Sequence, residues 1–155
     1  PLNHDADFNA TDHASIQELI SQRHNANLVL HKIVEEYREA EPIRIWPHHF
    51  DTGSLIPVEH NDSGQLSMSF GIGWAIPDTM ISEPYFYLSF WSEENIPLPA
   101  EMPALKNGVW MTPGWKGAVL ALSELLGHHS EEQQMAAALS FFNDGIAIIR
   151  KTITS

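Results

Sequence analysis

The chain has 155 residues, which is enough for one domain built around one hydrophobic core. Its 8 Lys and Arg residues face 20 Asp and Glu residues, a formal charge of -12, so we expect neither nucleic acid nor an anionic membrane surface as a partner. It has no cysteine, which excludes disulfides, thiolate catalysis and Cys-ligated zinc.

Apolar residues recur at helical spacing from Ile16 to Tyr37, after a polar opening segment. This pattern predicts an amphipathic helix that ends near Glu39, before Pro42. Arg23 lies inside the apolar stripe, so one edge of the helix can line a polar pocket. Residues suited to cap its first turn precede it: Asn9, Thr11 and Asp12.

Two segments alternate with the period of a strand. In "QLSMSFGIGW", from Gln65 to Trp74, one face is apolar and the other carries only Ser and Gly beyond the first residue. In "EPYFYLSFW", from Glu83 to Trp91, apolar residues alternate with Glu, Tyr, Ser and Trp. The two segments predict neighbouring strands, one with a polar face and one with a face that is almost free of side chains.

The remaining elements complete an α+β pattern. Pro113-Gly114 predicts a turn between Val109–Met111 and Trp115–Leu120, and a second amphipathic helix is predicted from Ser130. No helical crossover separates the strands. We therefore predict a single α+β domain over residues 1–155, with an antiparallel sheet of about four to five strands and an N-terminal and a C-terminal amphipathic helix packed on it.

The stretch "IRIWPHHFDTGSL" holds the first candidate site residues. If it is a strand, His49 and Asp51 share one side, while His48 and Phe50 share the other. A histidine beside a carboxylate suits a metal ion or a proton relay. The Asp-Thr-Gly-Ser run also matches the catalytic loop of aspartic proteases, but it occurs once here, so that chemistry would need a dimer.

Three ordered motifs carry a resemblance: "WPHHFD" (Trp46–Asp51), "GIGWAIPD" (Gly71–Asp78) and "EPYFY" (Glu83–Tyr87). Together with "GWKGAVL" (Gly114–Leu120), this chain resembles a group of uncharacterised bacterial proteins with Trp-Pro-x-His-Phe-Asp and Glu-Pro-Tyr-x-Tyr motifs. The resemblance runs from about Ala14 onward and implies no activity. It implies a shared polar set and, since the chain begins at Pro1, the C-terminal part of a longer protein.

These patterns lead to three expectations of function. The first is a domain that binds a small molecule on a polar face made of His49, Asp51, Asp78, Glu83, Tyr85 and Tyr87, next to the Ser/Gly face of the neighbouring strand. The second is a metal-dependent hydrolase with His49, Asp51 and Glu83 as ligands. The third is a non-enzymatic protein-interaction domain. We expect a cytoplasmic location, whereas the sequence indicates no particular cofactor, catalytic residue or oligomeric state.

Overall fold

The computed structural model describes residues 13–112 and 114–154, in which three helices and six strands are found. The helices are α1 (His13–Glu36), α2 (Leu122–Leu126) and α3 (Glu131–Ile153). The strands are β1 (Arg44–Trp46), β2 (Asp51–His60), β3 (Leu66–Ala75), β4 (Tyr85–Ser92), β5 (Val109–Trp110) and β6 (Gly117–Ala121). The predicted capping residues of the first helix lie outside the described residues.

The strands form one sheet in the order β1-β2-β3-β4-β6-β5, and every neighbouring pair is antiparallel. This confirms the α+β prediction of an antiparallel sheet with a helix at each end of the chain. The sheet has six strands rather than four to five. The additional strand is β1, because the stretch around Ile43–Leu55 forms two strands, β1 and β2, separated by a turn. The three residues of β1 are too few to show a period-two pattern.

The register gives the sheet one face that the helices cover and an opposite face, called the open face because no described helix belongs to its apolar cluster, although Tyr85 and Val119 are buried there. Trp74 pairs with Thr52 and Phe86, and these side chains point toward the helices. Gly73 pairs with Gly53 and Tyr87, on the opposite, open face. Contacts with α1 and α3 bury the core on the first face, and its largest fully buried side chains are Phe70, Phe141, Phe142, Leu30, Ile33 and Ile56.

Helix α3 begins and packs as its sequence predicts. Ser130 Oγ accepts a hydrogen bond from the backbone N–H of Gln133 at 3.2 Å. Acidic residues fill the first turn and basic residues the last, which suits the helix dipole. A Cβ added at Gly145 would lie 2.5 Å from Leu88 Cδ2, so this glycine lets α3 lie close against β4.

Two boundaries differ from prediction. Helix α1 ends at Glu36 rather than near Glu39. Residues 47–50 form a turn rather than a strand, because β1 and β2 are antiparallel and Trp46 pairs directly with Asp51. The turn closes with a hydrogen bond from Phe50 N to Trp46 O at 2.9 Å, and Phe50 has a φ of 54°. The predicted alternation of His49 and Asp51 along one strand is therefore wrong.

None of the helices that the structure describes is both long enough and apolar enough to cross a bilayer.

Candidate functional site

Tyr87 covers the Gly73 end of the Ser/Gly strip of β3, whereas Gly71 lies against Ser89. A Cβ added at Gly73 would overlap the Tyr87 ring, and one added at Gly53 would lie 2.7 Å from Tyr87 Oη. The two glycines therefore make room for a tyrosine that lies across β3 toward β2. Our expectation of open space beside the tyrosines is wrong at this strip, because the tyrosine itself fills it.

The hydroxyl group of Tyr87 contacts the carboxylate of Asp51. The hydroxyl donates to Asp51 Oδ2 at 2.5 Å, and Asp51 is only 9% exposed. Burial raises the pKa of the Tyr87 hydroxyl far above its usual range, and the hydrogen bond and charge of Asp51 raise it further. Tyr87 therefore stays a hydrogen-bond donor throughout the neutral range.

A second tyrosine–aspartate pair lies at the start of the same strand. Tyr85 donates to Asp78 Oδ2 at 2.7 Å, and Asp78 Oδ1 accepts from the backbone N–H groups of Met80 and Ile81 at 2.7 and 3.0 Å. Asp78 therefore organises the β3–β4 loop and orients Tyr85 at the same time.

In this second pair the pKa of Asp78 lies below its usual value and the pKa of Tyr85 lies above its usual value. Burial alone raises the pKa of Asp78, but the hydrogen bonds from Ile81, Tyr85 and Met80 and the charge of His49 together bring it below its usual value. Burial raises the pKa of Tyr85 strongly, and Asp78 and then Asp51 add to that rise. Near neutral pH the pair is an ionised carboxylate and a neutral phenol.

Five of the six predicted residues form one group, which we call the polar cluster: His49, Asp51, Asp78, Tyr85 and Tyr87. Hydrogen bonds join Tyr87 to Asp51 and Tyr85 to Asp78. The charge of His49 also lowers the pKa of Asp78, Asp51 raises the pKa of Tyr85, and Tyr85 raises the pKa of Tyr87. The structure brings these five predicted residues together, although the strand geometry predicted at His49 is wrong.

Glu83, the sixth predicted residue, has a different role. Its carboxylate accepts from Ser123 N at 2.7 Å and from Ser123 Oγ at 2.8 Å, so it caps the first turn of α2. No group of three or more His, Asp or Glu side chains able to hold a metal ion is found within 13–112 and 114–154. The expected convergence of His49, Asp51 and Glu83 is not found.

The Asp-Thr-Gly-Ser run is part of a strand rather than a catalytic loop. All four residues lie in β2. Ser54 Oγ donates to Glu41 O at 2.5 Å, and Thr52 Oγ1 accepts from Arg23 at 2.8 Å. Each polar side chain of the run has a partner within this chain, so the aspartic-protease interpretation has no structural support.

Arg23 supports the turn that presents His49. Besides Thr52, its guanidinium donates to Phe50 O at 2.6 Å, and it lies 5.4 Å from the ring centroid of Trp74. It thereby ties α1 to the residue with positive φ. The sequence placed Arg23 inside the apolar stripe of a helix, but its hydrogen-bond partners lie at least 27 positions away in the chain.

Trp46 is a neighbour of the polar cluster that sequence reasoning did not select. It stands directly across from Asp51 in the β1–β2 pair, so both side chains lie on the open face. Trp46 is 40% exposed. The sequence could have indicated this only through the pairing of Trp46 with Asp51. That pairing follows once residues 47–50 are recognised as a turn.

Fold and site together define a class: an α+β domain with one helix-covered sheet and a tyrosine–aspartate cluster on the open face. Comparisons with models of protein families, with curated proteins and with solved structures find no match for this chain.

Proposed function

We propose that this domain binds a small molecule at the polar cluster, and that the ligand presents hydrogen-bond donors on a planar body. The observation that carries the proposal is the hydrogen bonding of the Asp51 carboxylate, whose two oxygens differ. Tyr87 holds one carboxylate oxygen, whereas Oδ1 accepts no hydrogen bond from any described residue and is not sealed from solvent. A fixed carboxylate with one accessible oxygen is an acceptor for a ligand donor.

The surroundings of Asp51 favour the same ligand class. Trp46 offers an exposed aromatic ring across from the carboxylate, and such rings stack on planar groups and attract cations. His49, a member of the cluster, is exposed. Aspartates and tyrosines held by one another keep their geometry without a ligand, so little ordering is needed on binding.

A matched trio of probes tests the proposal: benzamidine, benzamide and benzoate, which share a ring and differ in charge. We expect benzamidine to bind with the highest affinity, benzamide more weakly and benzoate not at all, as measured by shifts of the amide resonances of 49–53 and 78–87. Equal binding of all three, or shifts confined to other regions, would rule out this ligand class.

Exposed side chains allow the site to be altered without touching the core. Trp46→Ala and His49→Ala should each weaken benzamidine binding while the midpoint of thermal unfolding stays unchanged. Their matched controls are Trp91→Ala, another exposed tryptophan, and His48→Ala, the neighbouring exposed histidine. If the controls weaken binding as much as the site variants do, the site is misplaced.

A second candidate function is a protein-interaction domain, favoured by the apolar edge at β1. Among the strands that the structure describes, β1 has a neighbour on one side only, and Ile45 and Phe50 are 56% and 64% exposed. An exposed edge strand with apolar side chains can pair with another chain. Light scattering of the whole chain and of Ile45→Lys tests this: self-association that the substitution abolishes supports it, and a monomer at all concentrations removes self-association through this edge.

A further inference from the structure

A groove lies on the helix-covered side of the sheet, opposite the polar cluster. Its volume is about 340 Å³, and it runs between α1 on one side and α2 and α3 on the other. Trp74 and Phe86 form its floor, with exposed fractions of 2% and 4%. The volume is near the lower end of the range for small-molecule sites, which is roughly 300–1,000 Å³.

The walls of the groove are apolar and close-packed. Ala26 and Val29 of α1 face Met135 and Ala138 of α3 across it. The small alanine side chains keep the helices from filling the gap between them. At one end Leu126 is 63% exposed, so an apolar surface continues from the interior to the mouth of the groove.

The rim is polar and acidic. Glu18 and Gln22 border the groove from α1, and Glu131 and Gln134 border it from α3. Among the described residues that line it, none is Lys, Arg or His. The charged side chains that line it are therefore two carboxylates, in a chain that already carries a formal charge of -12. Arg23 lies 5.4 Å from the ring centroid of Trp74 but is not among the lining residues.

We propose that this groove is a second binding site, whose ligand is a small organic cation with an aliphatic body, such as a primary alkylammonium. The body would lie against Trp74 and Phe86, and the ammonium group would lie at the rim between Glu18 and Glu131. Charge complementarity selects the cation, since both charged side chains that line the groove are carboxylates. The site is separate from the polar cluster, because the two lie on opposite faces of the sheet.

The test compares hexylammonium, hexanol and hexanoate on the whole chain by calorimetry and by the indole N–H resonance of Trp74. We expect hexylammonium to bind most tightly, hexanol more weakly and hexanoate weakest. Removing the carboxylates with Glu18→Gln and Glu131→Gln should reduce the preference for the cation over the alcohol by roughly two- to fivefold, the range expected for partly exposed ion pairs. The alcohol itself should bind the variant as it binds the natural chain.

Further variants test whether the effects come from the rim carboxylates and from the groove itself. Glu132→Gln removes the neighbouring charge at the same helix terminus without touching the groove, and it should leave the preference unchanged. Ser21→Trp fills the groove from its exposed rim and should abolish binding, whereas Gln17→Trp, an exposed position on α1 outside the groove, should not.

Three results would overturn the proposal. One is the absence of any Trp74 shift with all three probes, which would also be the result if a second copy or another part of the chain filled the groove. Another is tightest binding of hexanoate. The last is a loss of cation preference in Glu132→Gln as large as in the rim variants.

Discussion

At the scale of single residues, the hydrogen bond between Tyr87 and Asp51 holds the centre of the open face. Tyr87→Phe keeps the ring over Gly73 but removes the donor, leaving a carboxylate that is 9% exposed without its partner. We expect the free energy of unfolding to fall by about 1–3 kcal/mol, the cost of an unpaired buried polar group. Urea denaturation measures this.

The matched control for Tyr87→Phe is Tyr85→Phe. Its partner Asp78 is exposed and keeps two backbone donors. The loss should therefore be smaller than for Tyr87→Phe. Equal losses of unfolding free energy in the two variants would show that the Tyr87–Asp51 hydrogen bond stabilises the fold no more than the Tyr85–Asp78 hydrogen bond does.

All three tyrosines of the chain should ionise late. Burial raises the pKa of Tyr37, of Tyr85 and of Tyr87, and aspartates raise the last two further. Because these folded-state pKa values lie above the unfolded value of about 10, the tyrosines' contribution to stability is fully present below about pH 10 and is lost as the pH rises from there toward the folded pKa values. The measurement is tyrosinate absorbance against pH.

The folded protein should show almost no tyrosinate at about pH 10, where unfolded tyrosine is half ionised. The same titration in urea should show half ionisation there. The variant Tyr85→Phe/Tyr87→Phe should lose less stability above this pH than the natural chain does. Half ionisation of the folded protein at about pH 10 would contradict the buried, hydrogen-bonded positions of these side chains.

At the scale of elements, the contact between β3 and β4 depends on a glycine under a tyrosine. Gly73→Ala would drive a Cβ into the Tyr87 ring, and overpacking of this kind costs typically about 1–3 kcal/mol. In a Tyr87→Ala background the same change should cost much less, because the clashing ring is gone. Thermal or urea unfolding of the four chains in this cycle measures the coupling.

The control for this cycle is Gly114→Ala. A Cβ there would meet no atom nearer than Met111 O at 3.9 Å, so stability should hardly change. If the losses of unfolding free energy in Gly73→Ala and Tyr87→Ala simply add in the double variant, the Tyr87 ring does not lie over Gly73.

The same elements explain what sequence could and could not predict. β3 and β4 were predictable because long period-two runs leave one face apolar. Three features depended on contacts remote in sequence: the cover of Tyr87 over Gly73, the partnership of Glu83 with Ser123, and the support of Phe50 by Arg23. No local pattern encodes such contacts, so the sequence could propose the residues of the polar cluster but could not predict their geometry.

At the scale of the whole molecule, negative charge is in excess. Even complete pairing of every basic residue would leave a charge of -12, and the ion pair between Arg44 and Glu41 is exposed. Screening should therefore relieve repulsion more than it weakens attraction. We expect added sodium chloride to raise the midpoint of thermal unfolding by about 2–4 °C, equivalent to about 1 kcal/mol at this size. A fall in the midpoint would show that ion pairs dominate.

Our central proposal is that the open face binds a ligand at the polar cluster. The most direct measurement is a benzamidine titration of the isotope-labelled chain followed by its backbone amide resonances. We predict saturable shifts centred on His49–Gly53 and Asp78–Tyr87 that weaken in Trp46→Ala and persist in Trp91→Ala. Resonances of these segments that stay in place up to the solubility limit of benzamidine would contradict it.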